Sequence, residues 1–229
     1  MVIDFHAHIL PGMDHGCRDV QAALRQVAAA RRAGVDIIAA TSHFYPTIDT
    51  PERFLERRQA AWSLLKDALP EATPQIHLGA EVTLCDGMEQ MEGLFSLALN
   101  GDQTILLEMP RSKWSLKTYD TVEKINDLAG GRAVIAHVDR YEAHLVESLF
   151  EIGVTGQLNA AGLLRLGGRR RLLRWIDSGK ISALGSDAHG KSVDYRRYKR
   201  AQNHLGSRFS EIMRRSAELL TTGERIYIR

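Results

Sequence analysis

Histidines and carboxylates recur in this 229-residue chain at the ends of short apolar runs. His6 and His8 close the run that opens VIDF, His43 follows IIAATS, Glu81 follows HLGA, Glu108 follows ILL, His137 follows AVIA, and Asp187 and His189 follow ALGS. Asp14 stands in the loop after the first run, with His15 beside it. Imidazole and carboxylate are the ligands expected for Zn, Mn or Fe, so these residues brought to one place would hold several divalent transition ions. Taken singly they say less. His6 and His8 point to one face of a strand, which fits a hydrogen-bonded core pair as well as a ligand pair. Glu108 is more demanding, because an unpaired charge after Ile105, Leu106 and Leu107 is costly and needs a partner. His77, His144 and His204 fall outside the pattern and read as structural or surface residues.

The elements that must position these residues alternate along the chain. Seven β-rich runs are expected near 2–8, 37–43, 76–82, 104–109, 133–138, 155–159 and 181–187. Helical periodicity is expected near 18–33, 51–68, 117–129, 141–151 and 168–178, with two more helices after the last strand. The stretch 86–99 has no clear period. Strands followed by helices imply parallel pairing through right-handed crossovers, in either an open sheet or a barrel. In a barrel the C-terminal strand ends meet at one mouth, whereas an open sheet would spread them along a line. The strand-end histidines and carboxylates therefore favour an α/β barrel. No linker or repeat divides the chain, and a single domain over 1–229 is the expectation.

Composition narrows the partners. Thirty Lys and Arg against 28 Asp and Glu leave a formal charge of +2, too little for a global field that would attract nucleic acid or an anionic membrane. No run reaches the length of a membrane span, so no membrane insertion is expected and a cytoplasmic location is the default. The two cysteines, Cys17 and Cys85, make no disulfide framework.

The stretches DFHAHILPGMDHG, TSHFYP, GAEV, LLEMP, AHVDRY and GSDAHG, in this order and spacing, resemble the motifs of the PHP phosphoesterases, in particular the bacterial capsule-type protein tyrosine phosphatases. SAELLTTGE is similar to the family's closing helix. The resemblance implies a distorted seven-stranded (β/α) barrel of the PHP type and three divalent metals per chain, Mn, Zn or Fe. By that likeness His6, His8, Glu81 and Asp187 hold the first ion, and Glu81 bridges to a second completed by Glu108 and His137. Asp14, His43 and His189 hold the third. Arg140 matches the arginine of the family's HPERY-like motif and is the candidate catalytic and substrate-binding residue, since a guanidinium can grip two phosphate oxygens. The implied substrate is a phosphotyrosine protein, such as an autophosphorylated bacterial tyrosine kinase in polysaccharide regulation.

The sequence departs from the family at Val138 and Asp139, which replace proline and glutamate, and at Ser42 and Phe44, which replace proline and histidine; none is a ligand position. It also lacks the Arg-Pro-Pro segment that the family places after its last ligand motif, a role left to Arg196 or Arg197. The chemistry implied is hydrolysis by metal-activated hydroxide, with ions neutralising phosphate oxygens and lowering the pKa of water. The phenolate of tyrosine, with a pKa of about 10, leaves without a dedicated general acid. The cysteine-dependent route to the same reaction needs an arginine six residues after the nucleophile. Ala23 and Met91 stand there instead, so both cysteines read as packing residues. The Arg-rich stretch LLRLGGRRRLLRW reads mostly as a solvated helix face, or as a dock for an acidic peptide. A phosphatase for small molecules such as histidinol phosphate or a nucleotide is the alternative, followed by an amidohydrolase and a non-catalytic metal-stabilised module.

Overall fold

Buried parallel strands have neighbours on both sides and read as near-continuous apolar runs. β1 (Ile3–Ala7) is such a strand, buried at every position. The computed structural model describes residues 1–101, 103–111, 114–165, 167–191 and 193–221. Eight further strands follow: β2 (Ile37–Ala40), β3 (His43–Phe44), β4 (Gln75–Leu78), β5 (Glu81–Thr83), β6 (Ile105–Glu108), β7 (Ala133–Ile135), β8 (Thr155–Asn159) and β9 (Ile181–Gly185). All pair in parallel, in a three-stranded sheet ordered β1-β2-β4 and a six-stranded sheet ordered β3-β5-β6-β7-β8-β9.

The parallel α/β arrangement is therefore the expected one, but a closed barrel of seven continuous strands is not seen among the described residues. The second and third expected strands each divide in two, at Thr41–Ser42 and at Gly79–Ala80, and the breaks lie side by side. Single bonds carry the chain across: Thr41 N donates to Ala7 O (3.0 Å), Gly79 N to Ala40 O (3.0 Å) and Glu81 N to Ser42 O (3.1 Å). Gly79 has a packing reason to be glycine, since a Cβ there would lie 2.5 Å from Leu99 Cδ2. The break hands His43 and Glu81 to the six-stranded sheet that also carries Glu108. At the other end β1 runs beside the exit of β9, where Asp187 N donates to His6 O (2.8 Å) and His8 N to Ala188 O (3.0 Å).

The helices are α1 (Val20–Arg32), α2 (Pro51–Ala68), α3 (Leu116–Leu128), α4 (Ala143–Glu151), α5 (Ala160–Leu163), α6 (Arg169–Asp177), α7 (Val193–Leu205) and α8 (Ser207–Leu219). Local signals fix their starts: Asp19 caps α1 through Ala22 N, and Thr50 caps α2 with Pro51 at the first turn. The segment without a clear period forms three short 3₁₀ turns, at Met88–Gln90, Leu94–Leu97 and Leu99–Gly101, whose repeat of about three residues matches neither helix nor strand. In α6, Leu172, Trp175 and Ile176 are buried while Arg170 and Arg174 face solvent. The closing-helix motif continues from α8 past Thr221, and its residues 222–224 lie outside the described residues. Among the described residues no helix is long and apolar enough to cross a membrane.

Candidate metal centre

Glu81, at the first position of β5, is 1% exposed, and imidazoles surround its carboxylate. Oε2 lies 3.1 Å from His6 Nε2, 3.2 Å from His8 Nε2 and 3.1 Å from His43 Nδ1, and Oε1 lies 2.7 Å from His137 Nε2. Glu108 stands beyond, 3.7 Å from His43 Nδ1 and 3.8 Å from His137 Nε2. Asp187 Oδ1 lies 3.8 Å from His6 Nε2 and 3.6 Å from His8 Nε2. Strand ends separated by most of the chain thus supply one cluster, as the sequence pattern required.

Burial alone would raise the pKa of Glu81. The charge of His6 and hydrogen bonds with His137, His6 and His8 outweigh it and hold the carboxyl well below the usual range. Burial likewise works against a proton on His8, but the bonds to Asp14 and Glu81 prevail and push its pKa up to about 10. At the rim the balance reverses: burial, aided by the charge of His8, pushes His43 down to about 3 and His189 down to about 4. Those two imidazoles are neutral at physiological pH, with lone pairs free for a ligand.

The atoms fit divalent ions. Ligand atoms about 2.1 Å from a common ion lie roughly 3.0–3.4 Å apart at right or tetrahedral angles. His6 Nε2, His8 Nε2 and Glu81 Oε2 are mutually 3.1, 3.1 and 3.2 Å apart. Two imidazole nitrogens facing each other at 3.1 Å are poor partners without something between them. His43 Nδ1 and His189 Nε2 are buried and make no hydrogen bond. Three groups have ligand atoms close enough to share an ion: His6, His8 and Asp187; His43, Glu81 and Glu108; and His8, His43 and His189.

Strand β8 supplies no candidate ligand, yet it orients three. Gln157, fully buried, accepts at Oε1 from His137 N (2.7 Å) and lies 3.0 Å from His6 Nδ1, which turns the other ring nitrogen of His6 toward Glu81. Its amide donates to Leu158 O and Asn159 Oδ1. Asn159, two residues on and on the same face, donates to Asp187 Oδ2 (2.9 Å). Thr83 does the same for Glu108, donating to Oε2 at 2.9 Å. Among the described residues other than glycine, only His137 (φ 35°) and Asp187 (φ 51°) have positive φ. Such left-handed backbone costs of order 1 kcal/mol or more and persists where its surroundings fix it. Here bonds to Gln157 and to His6 O do so.

The loop residues divide. Asp14 sits behind His8, with Oδ2 2.7 Å from His8 Nδ1 and accepting from His43 N, while Oδ1 accepts from Gly16 N. His15, beside Asp14 in the first loop, lines the cavity over the cluster and stacks on His43 and His189, with centroids 5.0 and 4.5 Å apart. Arg140 is half-exposed at the mouth and pairs with Asp187. Arg197 lines the same cavity, beside Asp194 at 3.6 Å. Arg196 is exposed one position round the helix and is not part of the cavity wall. Cys17 is buried, which pushes its thiol up to about 12, and burial also raises Cys85, so neither is a poised nucleophile.

Residues 2–222 match the family model described as capsular polysaccharide synthesis, CpsB/CapC. The tyrosine-protein phosphatase YwqE of Bacillus subtilis is 28% identical across 99% of this chain and 94% of its own length. The tyrosine-protein phosphatase CpsB of Streptococcus agalactiae is 24% identical across 84% of each. A solved chain from the pair YwqE of B. subtilis and CpsB of Streptococcus pneumoniae, described as metal-dependent tyrosine phosphatases, superposes with a TM-score of 0.76 at 25% identity, covering 96% of this chain and 94% of that one.

The proton on His8 makes metal uptake pH-linked. An ion that takes His8 Nε2 must displace a proton retained up to about pH 10 in the metal-free protein. Apparent affinity should therefore rise with pH from 7 toward 10, by about tenfold per unit for each proton displaced. Calorimetry in buffers of different ionisation enthalpy should record proton release at pH 7.5. The Gln157→Leu variant should keep its fold by circular dichroism but bind Mn or Zn about 10- to 100-fold more weakly in competition with a chelator, because His6 and His137 lose their common anchor.

Proposed function

Because this chain belongs to the CpsB/CapC family of capsular polysaccharide synthesis, we propose that it is a metal-dependent protein tyrosine phosphatase whose strand-end cluster binds three divalent ions. One observation supports the reading above others: a single buried carboxylate, Glu81, touches four imidazoles from three strand ends beneath a mouth that holds a guanidinium. On this reading His6, His8, Glu81 and Asp187 hold one ion, and Glu81, Glu108 and His137 a second. Asp14, His43 and His189 hold a third, whose loading exchanges the bond between Asp14 and His8 for a metal contact. The two sheets then act as a distorted seven-strand barrel in one domain, with the broken wall presenting His43 and Glu81.

Bound divalent ions would supply Lewis acidity that neutralises phosphate and makes water acidic enough to attack near neutral pH. The rest falls to the chain's own side chains. Arg140 is charged, planar and half-exposed, and a phosphate competes with Asp187 for its two parallel N–H groups. Arg197 offers a second cation in the lining of the same cavity. Asn159 holds Asp187 when Arg140 turns to substrate. The departing phenolate, with a pKa of about 10, needs no buried acid beside it. An autophosphorylated tyrosine kinase in the cytoplasm is the substrate that fits the family's role in polysaccharide synthesis.

Chelation should abolish phosphotyrosine hydrolysis and added Mn should restore it. Glu81→Gln should lower kcat/KM by at least about a hundredfold, while His77→Leu should leave it near wild type, since His77 is buried with no bond at either ring nitrogen. Equal activity in those two folded variants would contradict the assignment. Arg140→Ala should retain metals but lose activity in kcat/KM, with Arg140→Lys intermediate because a point charge replaces a fork. Steady-state kinetics with metal content measured on the same preparations decides both, and a fully loaded Ala variant with unchanged kcat/KM would leave Arg140 a surface residue.

A further inference from the structure

A second cavity, of about 590 Å³, opens off the metal centre, and the two share Glu108, Met109, Pro110, Arg111 and Arg140. The side cavity differs in chemistry from the cluster. Its walls include Trp114, Tyr141, Met109 and Leu145. Trp114 and Tyr141 meet edge to face, with centroids 5.2 Å apart and planes at 68°. Their polar atoms are already engaged: Trp114 Nε1 donates to Pro110 O at 2.9 Å, and Tyr141 OH accepts from Met109 N at 3.1 Å. What they present to the cavity is therefore ring surface, held in place before any ligand arrives.

We propose that this side cavity receives the phenol ring of a phosphotyrosine side chain, so that Trp114, Tyr141 and Leu145 set a preference for aryl over alkyl phosphates. The inference rests on the phosphatase reading above. A phosphate gripped by Arg140 beside Glu108 lies on the boundary between the two cavities. The cluster side holds most of the candidate ligands, whereas only the side cavity adds Trp114, Tyr141 and Leu145, so an apolar substituent on the phosphate is directed there. A benzene ring there packs against two aromatic faces in the offset or edge-on arrangements such rings prefer, and removes the half-buried Leu145 from water. A serine phosphate placed at the same point would leave the slot filled with water. Charge is divided within the side cavity, whose lining also includes Arg111, His137 and Glu142: the dianion meets Arg140, and the uncharged ring meets the aromatic faces of Trp114 and Tyr141.

The test separates the ring slot from the chemistry. Metal-loaded wild type, Trp114→Ala, Trp114→Phe and Leu145→Gln are titrated with phenylphosphonate and methylphosphonate by calorimetry, and assayed on phosphotyrosine and phosphoserine forms of one peptide. Wild type should bind phenylphosphonate more tightly than methylphosphonate. Trp114→Ala should weaken phenylphosphonate about tenfold, leave methylphosphonate and metal content unchanged, and raise KM for phosphotyrosine more than it lowers kcat, while Trp114→Phe recovers most of the loss. Should Trp114→Ala not fold, Leu145→Gln on the half-buried face of α4 carries the same comparison. Phenylphosphonate affinity unchanged in the folded variants overturns the proposal, whether or not the peptides turn over. Wild type that hydrolyses neither peptide, yet shows the aryl preference and its loss in Trp114→Ala, overturns the phosphatase reading and leaves the aryl slot standing.

Discussion

A carboxylate with almost no access to water is the constraint on which the site depends. Isolated in the interior, Glu81 would have to take up a proton or carry a large desolvation penalty. It avoids both because imidazoles from β1, β3 and the turn after β7 converge on its two oxygens. In the metal-free protein the proton that His8 holds up to about pH 10 offsets the charge, and divalent ions are the natural replacement for it. The broken wall at Thr41–Ser42 and Gly79–Ala80, the positive φ of His137 and Asp187, and the contact of Gly79 with Leu99 are local departures from regular structure at or near the strand ends that carry these groups.

The cluster is also a lesson in the division of labour between strands. Six strand ends carry the candidate ligands, while β8 contributes only amides to the cluster. Amides do not titrate, and each offers both a donor and an acceptor, so Gln157 and Asn159 can hold His6, His137 and Asp187 whatever the protonation state of the cluster. A carboxylate in place of Gln157 would add another buried charge to be neutralised. Gly185 leaves room for this arrangement: a Cβ there would stand 2.6 Å from both Gln157 Nε2 and His6 Cβ.

Most of the ligand cluster was legible in the sequence because type and position carried the information together. An imidazole or carboxylate directly after an apolar strand is costly without a partner, and in a parallel α/β fold the strand ends of one side face one another. The orienting residues were not legible. Gln157 follows no motif, and only the three-dimensional register shows that it reaches His6 across β9 and β1. The strand breaks were hidden for a similar reason, since IIAATSHF reads as one β-rich run until the partner on each side is known. Arg196 and Arg197 are equivalent in sequence; the turn of α7 that buries Tyr195 and Tyr198 puts Arg197 beside Asp194 and Arg196 outside the cavity. The side cavity joins Glu108 of β6, Trp114 ahead of α3 and Leu145 of α4, residues that no spacing connects.

The seat of β1 between β2 and the exit of β9 has a consequence for how the chain acquires its shape during synthesis. Ser186 N donates to Asp4 Oδ1 across 182 residues of sequence, and Asp187 meets His6 and His8 over a similar span. Contacts of such separation form late, because the loop-closure entropy must be met before they contribute. On the ribosome, the first strand must wait with one edge unpaired and its two histidines uncovered until the last strand emerges. A nascent chain in that state presents a half-built ligand set to the ions of its surroundings and a bare strand edge to its neighbours. Ions that bound only the finished site would stabilise the pairing of the first and last strands once both exist.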